Sequence, residues 1–156
     1  MKEKKVIRER IPENLKAAMR EKNMLRVSTI RLIMAALKDR DIAVREKGNY
    51  EGIVDTDILQ MLQGMVKQRK ESMVLYEQGN RPDLVAKETQ EIDIIQEFLP
   101  KQLSDEETGI ILSEVLENLN AHSVKDMGRV MAELRERYVG RLDFSKVAEL
   151  LKEKLT

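Results

Sequence analysis

The sequence predicts an all-α protein built as two helical domains. Three observations predict it. Every sustained apolar repeat falls at spacings of three, four or seven residues, no run alternates strictly between apolar and polar positions, and charged residues make up 36% of the chain against 3% aromatics. Apolar side chains at three- and four-residue spacing share one helix face, whereas a half-buried strand needs a period of two. A composition rich in Lys, Arg and Glu, with Leu, Ile and Met as the large apolar residues, suits charged helix surfaces around a small core. A length of 156 residues allows one domain or two small ones.

The elements follow in order. Pro12 opens a first helix, since proline fits a first helical turn, and Leu15, Ala18 and Met19 carry it to about Glu21. A second helix starts near Met24, with Val27, Ile30, Met34, Leu37 and Val44 on one stripe, and Gly48 stops it. Residues 48–54 form a loop with two glycines. The third helix runs from about Thr56 to Gln78 behind Asp55 as N-cap, with Leu59, Leu62, Val66, Arg69, Met73 and Tyr76 on its stripe. Gly79-Asn80-Arg81 turns the chain, and Pro82 opens a fourth helix that ends at Leu99, before Pro100.

Ser104-Asp105-Glu106-Glu107 has the form of a capping box and opens the fifth helix. Ser123 and Asp126 open the sixth, which Gly140 closes, and Asp143 caps the seventh, with Phe144, Val147, Leu151 and Leu155 as its stripe. Leu99-Pro100-Lys101-Gln102-Leu103 is the expected boundary. It leaves an N-terminal bundle of long helices with an antiparallel hairpin over 1–99 and a small three-helix domain over 100–156.

Net charge is zero but unevenly spread. Residues 1–50 hold 14 Lys/Arg against 7 Asp/Glu, residues 51–100 hold 5 against 10, and residues 101–156 hold 9 against 11. A basic first third suits an anionic partner such as RNA, and equally describes a solvated helix face. There is no cysteine, so neither a disulfide framework nor a Cys-based zinc site. The longest apolar run, Leu32 to Leu37, is far short of the ~20 residues of a membrane span. Lys2, Lys4 and Lys5 precede no signal-type apolar segment. A soluble cytoplasmic protein with no membrane partner is the expectation.

Residue patterns that carry chemistry are scarce. His122, the single histidine, sits in a turn between Ala121 and Ser123, and no nucleophile elbow, zincin motif or Walker-type glycine loop is present. The acidic run Asp105-Glu106-Glu107 stands in a first helical turn, where the macrodipole accounts for it. No catalytic residue, metal site or cofactor is therefore assigned, and the chain is not expected to be an enzyme by itself. Arg69 interrupts an apolar stripe and needs a reason. A hairpin reflected about residue 80 sets it opposite Glu88 or Glu91, as an ion pair that fixes register; the functional alternative is an anion site of Arg69 and Lys70.

Candidate RNA contacts lie in two places. Arg26 and Arg31, with Arg20, Lys22 and Lys38, follow the first two helices; Arg31 and Lys38 are seven residues apart on one face. In the last domain Lys125, Gly128, Arg129, Gly140, Arg141 and Lys146 surround the ends of the sixth helix. Gly128 near a helix start costs about 1 kcal/mol against alanine, and either close helix packing or close approach of an RNA backbone would justify it. Aromatic stacking platforms are absent, so recognition would rest on shape and charge.

The chain resembles the YqeY family over almost its whole length. The likeness lies in Leu25-Arg26-Val27-Ser28-Thr29-Ile30-Arg31, Gln68-Arg69-Lys70-Glu71-Ser72, Asn80-Arg81-Pro82-Asp83-Leu84 and Phe98-Leu99-Pro100-Lys101-Gln102-Leu103-Ser104. Lys125-Asp126-Met127-Gly128 through Gly140-Arg141-Leu142-Asp143 is similar to the tail of GatB, a subunit of the glutamyl/aspartyl-tRNA amidotransferase. The resemblance implies two helical domains and a tail that helps to recognise tRNA. The glutaminase and kinase chemistry of that enzyme resides in large domains without counterpart in these 156 residues. It implies an RNA-facing role for the Lys125–Gly128 turn and the Gly140–Arg141 corner, and no catalytic residue.

The leading expectation is a non-catalytic protein that binds tRNA or another structured RNA. The alternatives are a helical protein-interaction adaptor, or an accessory subunit supporting amide transfer by a partner amidotransferase, a carbon–nitrogen ligase with glutamine as amido donor.

Overall fold

The computed structural model describes residues 6–156 of the chain. Lys2, Lys4 and Lys5 lie outside the described residues. These form seven α-helices and no strand: α1 (Ile7–Arg20), α2 (Met24–Arg45), α3 (Asp55–Gln78), α4 (Pro82–Gln96), α5 (Asp105–Asn118), α6 (Met127–Tyr138) and α7 (Phe144–Leu155). A single 3-10 turn, Val124–Asp126, leads into α6. The chain divides into two compact units, Met1–Leu99 and Pro100–Thr156.

In the first unit α1 to α4 bury Ile11, Ala18, Val27, Ile30, Ile33, Leu37, Ile58, Met61, Leu62, Val66, Ile92, Ile95 and Phe98. α1 begins five residues before Pro12, which sits inside it rather than opening it. Proline cannot donate to the Arg8 carbonyl, so one helical bond is missing there. Tertiary contacts carry the early turn instead. Arg8 Nη1 donates to Asp41 Oδ2 at 2.7 Å, and its Nη2 donates to Asp41 Oδ1 at 3.0 Å and to the Ile53 carbonyl at 2.8 Å. Arg10 reaches the Glu97 carbonyl at 3.1 Å and lies over the Phe98 ring, while Ile11 is fully buried. Met19, expected on the apolar stripe, is half exposed.

Asn23 caps α2 by accepting from the Arg26 N–H at 3.1 Å, and Gly48 closes it with φ +95°. The loop that follows is held from both sides. Asp41 Oδ1 accepts from the Ile53 N–H at 2.9 Å, so one carboxylate ties α1, α2 and the entry to α3. The Arg8 hydrogen bonds, with that N–H, hold the Asp41 carboxyl below the usual range. Gly52, at φ +91°, fits under this clamp only as glycine: a Cβ would lie 2.6 Å from Asp41 Oδ1 and 2.7 Å from Arg8 Nη2.

Asp55 is the first residue of α3 rather than its cap; Val54 holds the cap position without a side-chain bond, and Asp55 and Asp57 face the positive end of the helix dipole. The fully buried side of α3 ends at Val66 and that of α4 begins at Glu91, and within 67–90 Met73 alone packs against the core among the described residues. Arg69 stands where the core stops. Its Nε donates to Glu91 Oε2 at 2.9 Å, Glu88 Oε2 lies 4.0 Å away, and Nη1 caps the Met65 carbonyl at 3.1 Å. α4 ends at Gln96 and passes through a turn to Leu99, because Phe98 leaves helical geometry to enter the core.

The second unit packs α5, α6 and α7 around Leu112, Val115, Val130, Leu134, Leu142, Val147, Leu151 and Leu155. The Ser104–Glu107 capping box is formed in both directions, at 3.1 and 3.3 Å. Ser123 opens the 3-10 turn, with Asp126 as its capping-box partner and as the residue at the N-cap position of α6. Asp143 caps α7 by accepting from the Ser145 and Lys146 N–H groups.

Three consequences are measurable. Gly52→Ala should lower stability by about 1–3 kcal/mol in urea unfolding, through backbone strain and the displaced Arg8–Asp41 pair. Gly64→Ala, inside α3 with nothing within 4 Å of its Cβ position, should instead raise it by about 0.5–1 kcal/mol. Arg69→Met should cost about 3–5 kcal/mol by leaving the Glu91 carboxylate unpaired, and Arg69→Met combined with Glu91→Leu should recover most of that loss.

Candidate nucleic-acid interface

The cations expected to face RNA differ sharply in what they already hold. On α2, Arg26 is largely covered; its guanidinium pairs with the Glu97 carboxylate and donates to Asn14 Oδ1 at 3.0 Å. It joins α1, α2 and the end of α4, so its position is structural. Arg31 and Lys38 are exposed and have no ionic partner among the described residues. Arg45 continues their row seven residues on, exposed and ion-pair-free among the described residues, with its guanidinium carbon 5.3 Å from the centre of the Tyr50 ring. Seven residues advance a helix by about 10.5 Å and rotate it back by about 20°, so the three cations form one nearly straight row. Arg45 was missed in the sequence, although extending the seven-residue spacing once more reaches it.

Tyr50, on the loop after α2, is 76% exposed and lies beside Arg45 at the end of the basic row. A single tyrosine among glycines and polar residues carries no pattern by which the sequence could mark it.

In the second unit the six candidate residues fall into two groups at opposite ends of α5. Arg129 donates to the Leu119 carbonyl at the C-terminal end of α5 and to Asp126 Oδ1 at 2.9 Å. Lys125 and Gly128 lie beside it, and Lys125 is exposed without a partner among the described residues. At the N-terminal end, Arg141 Nε donates to the Lys101 carbonyl at 3.2 Å, the Gly140 carbonyl accepts from Gln102, and Lys146 Nζ meets Asp105 Oδ1 at 2.6 Å. The Asp105 hydrogen bond raises the Lys146 pKa. A helix of 14 residues separates the groups by about 21 Å, so they do not share one end of the unit.

Close packing does not explain Gly128. A Cβ built on it meets nothing within 4 Å, so the residue leaves open surface on the first turn of α6. Gly140 does have an internal reason, since the turn into α7 needs its φ of +79°. The solvent side of α5 bears Glu106, Glu114 and Glu117 around exposed Ile110 and would repel phosphate. His122 is exposed and its ring contacts Asn120 Oδ1 at 2.8 Å. Among the described residues no group of His, Cys, Asp or Glu is arranged to hold a metal ion, and no helix is long and apolar enough to cross a membrane.

Asp126 organises the turn that carries Lys125 and Gly128. Its Oδ2 accepts from the His122 and Ser123 N–H groups at 2.9 and 3.2 Å, while Oδ1 meets Arg129. The His122 N–H, then Arg129, then the Ser123 N–H lower its carboxyl to about 2 from 3.8. A lowered carboxylate stabilises the fold above the unfolded pKa and loses that effect as pH falls. The His122 and Ser123 amides should therefore stay protected from exchange above pH 4 and lose protection on acidification toward pH 2, and Asp126→Asn should remove that pH dependence.

A family model described as Yqey-like protein matches residues 8–155. Among curated proteins, altered inheritance of mitochondria protein 41, mitochondrial, of Saccharomyces cerevisiae is 34% identical over 86 residues, covering 55% of this chain and 44% of that protein. The proteins of the same name from Kluyveromyces lactis and Vanderwaltozyma polyspora are 33% and 32% identical, over 56% and 57% of this chain and 45% and 46% of their own lengths. The chain thus spans less than half the length of these relatives. Because the family match runs from the first turn of α1 to the last residue of α7, taking in both units, this chain belongs to the YqeY-like family.

Proposed function

We propose that this protein is a non-catalytic binder of structured RNA, tRNA being the leading candidate, and that the exposed side of α2 is its main phosphate contact. The observation that carries this is the row of Arg31, Lys38 and Arg45, which are exposed and unpaired by any carboxylate among the described residues. A salt-bridged cation must give up a partner before it neutralises a phosphate; these three need not. The resemblance of the tail residues to GatB, read from the sequence, favours the same class of partner. Lys125 beside the open surface at Gly128 is a second contact, whereas Arg129, Arg141 and Lys146 would first have to exchange their internal partners. RNA binding requires a compartment that holds folded RNA, as the cytoplasm and the mitochondrial interior both do.

A second reading, docking of a protein such as an amidotransferase subunit, has its own observation. Met24, Leu32 and Ile42 remain exposed along α2, and Ile110 on α5. Contacts of that kind depend weakly on salt, so the two readings separate experimentally.

The test is titration of purified protein into fluorescent total tRNA across a salt series. Binding should weaken steeply with salt. Arg31→Ala/Lys38→Ala/Arg45→Ala should reduce the log–log salt slope by about 3, and Lys125→Ala by about 1. An absence of binding at low salt rejects the RNA reading.

A further inference from the structure

Tyr50 and the loop that presents it carry more than charge recognition. We infer that Tyr50 is a stacking platform for one unpaired nucleobase of an RNA whose phosphates follow Arg31, Lys38 and Arg45; this rests on the RNA reading above.

The ring is 76% exposed, an unusual position for an aromatic side chain in a protein with so few of them. The Arg45 guanidinium stands over one side, 5.3 Å from the ring centre, and the high exposure leaves the rest of the ring in water. The loop around it is braced on both sides. Before Tyr50, Asn49 accepts from the Glu51 N–H at 3.0 Å and donates to the Gly52 carbonyl at 3.1 Å. After it, Gly52 is wedged against Arg8 and Asp41, and Ile53 is buried with its N–H on Asp41. The ring is thus offered from an ordered turn, so little conformational entropy remains to be lost when a flat partner settles on it.

Chemistry and position select the partner. Every base has a π-face, and a tyrosine backed by an arginine combines stacking with a cation–π contribution. Tyr50 lies at the C-terminal end of the cation row, where a strand tracked by Arg31, Lys38 and Arg45 would place its next nucleotide. A paired base inside a duplex hides both faces, so the platform discriminates in favour of a base at an overhang or bulge beside a helix.

The experiment uses the full chain with a short blunt RNA duplex and with the same duplex carrying one unpaired adenine at the 5′ end, at the 3′ end or as a bulge. 2-Aminopurine replaces that adenine as a fluorescent reporter of stacking. At least one placement should bind about ten-fold more tightly than the blunt duplex, with the reporter quenched. Tyr50→Phe should keep most of that gain and Tyr50→Ala should bring the ratio close to unity. If the blunt duplex binds but no unpaired base adds affinity, or if the gain survives in Tyr50→Ala, the platform is wrong while RNA binding stands. If none of these RNAs binds, both are wrong.

Discussion

The first unit depends on the carboxylate of Asp41. Its two oxygens receive the Arg8 guanidinium from α1 and the Ile53 N–H from the loop before α3, so one side chain of α2 fixes both neighbours of that helix. The consequences spread outward. α1 keeps a turn and a half of helix ahead of Pro12 because Arg8 is held there. Gly52 is confined to glycine because the clamp fills the space its side chain would take. Tyr50, two residues before it, stands on the same braced loop. A charged pair of this kind offers modest stability at a partly exposed position; what it supplies here is geometry, since it ties α1, α2 and the loop before α3 to one another.

The same economy of charge decides where a polyanion can touch the molecule. In the second unit three of the candidate cations complete the fold: Arg129 closes the end of α5, Arg141 holds the segment before it, and Lys146 meets Asp105 in its first turn. In the first unit Arg26 does similar work for three helices. Among the cations proposed to meet RNA, the α2 row and Lys125 are exposed and without an ion-pair partner among the described residues. The sequence resemblance points to the tail, while the row of cations without ion-pair partners points to α2.

Much of the fold was legible because its signals are local. Gly48, Ser104 and Asp143 act on backbone groups within a few residues, and apolar spacing identifies each helix without knowledge of its neighbours. The Arg69–Glu91 pair was legible for a different reason: a tight turn reflects one helix onto the next, so a charge inside an apolar stripe points to its partner. Local signals also misled. Pro12 has the form of a helix start and Asp55 that of a cap, yet α1 begins five residues before the one and α3 begins at the other. Gly128 has the form of a packing glycine and meets nothing.

Helical class and the order of elements can be read from the chain alone, as can the residue types available to the proposed anionic partner, because periodicity and capping are written within a turn or two of chain. Which of those residues remain available follows from how the helices pack. The partners that occupy Arg8, Arg26, Arg141 and Lys146 lie 33, 71, 40 and 41 residues away. No local pattern carries that information; it exists only once hydrophobic burial has brought distant helices together and left each long side chain to find the nearest oxygen.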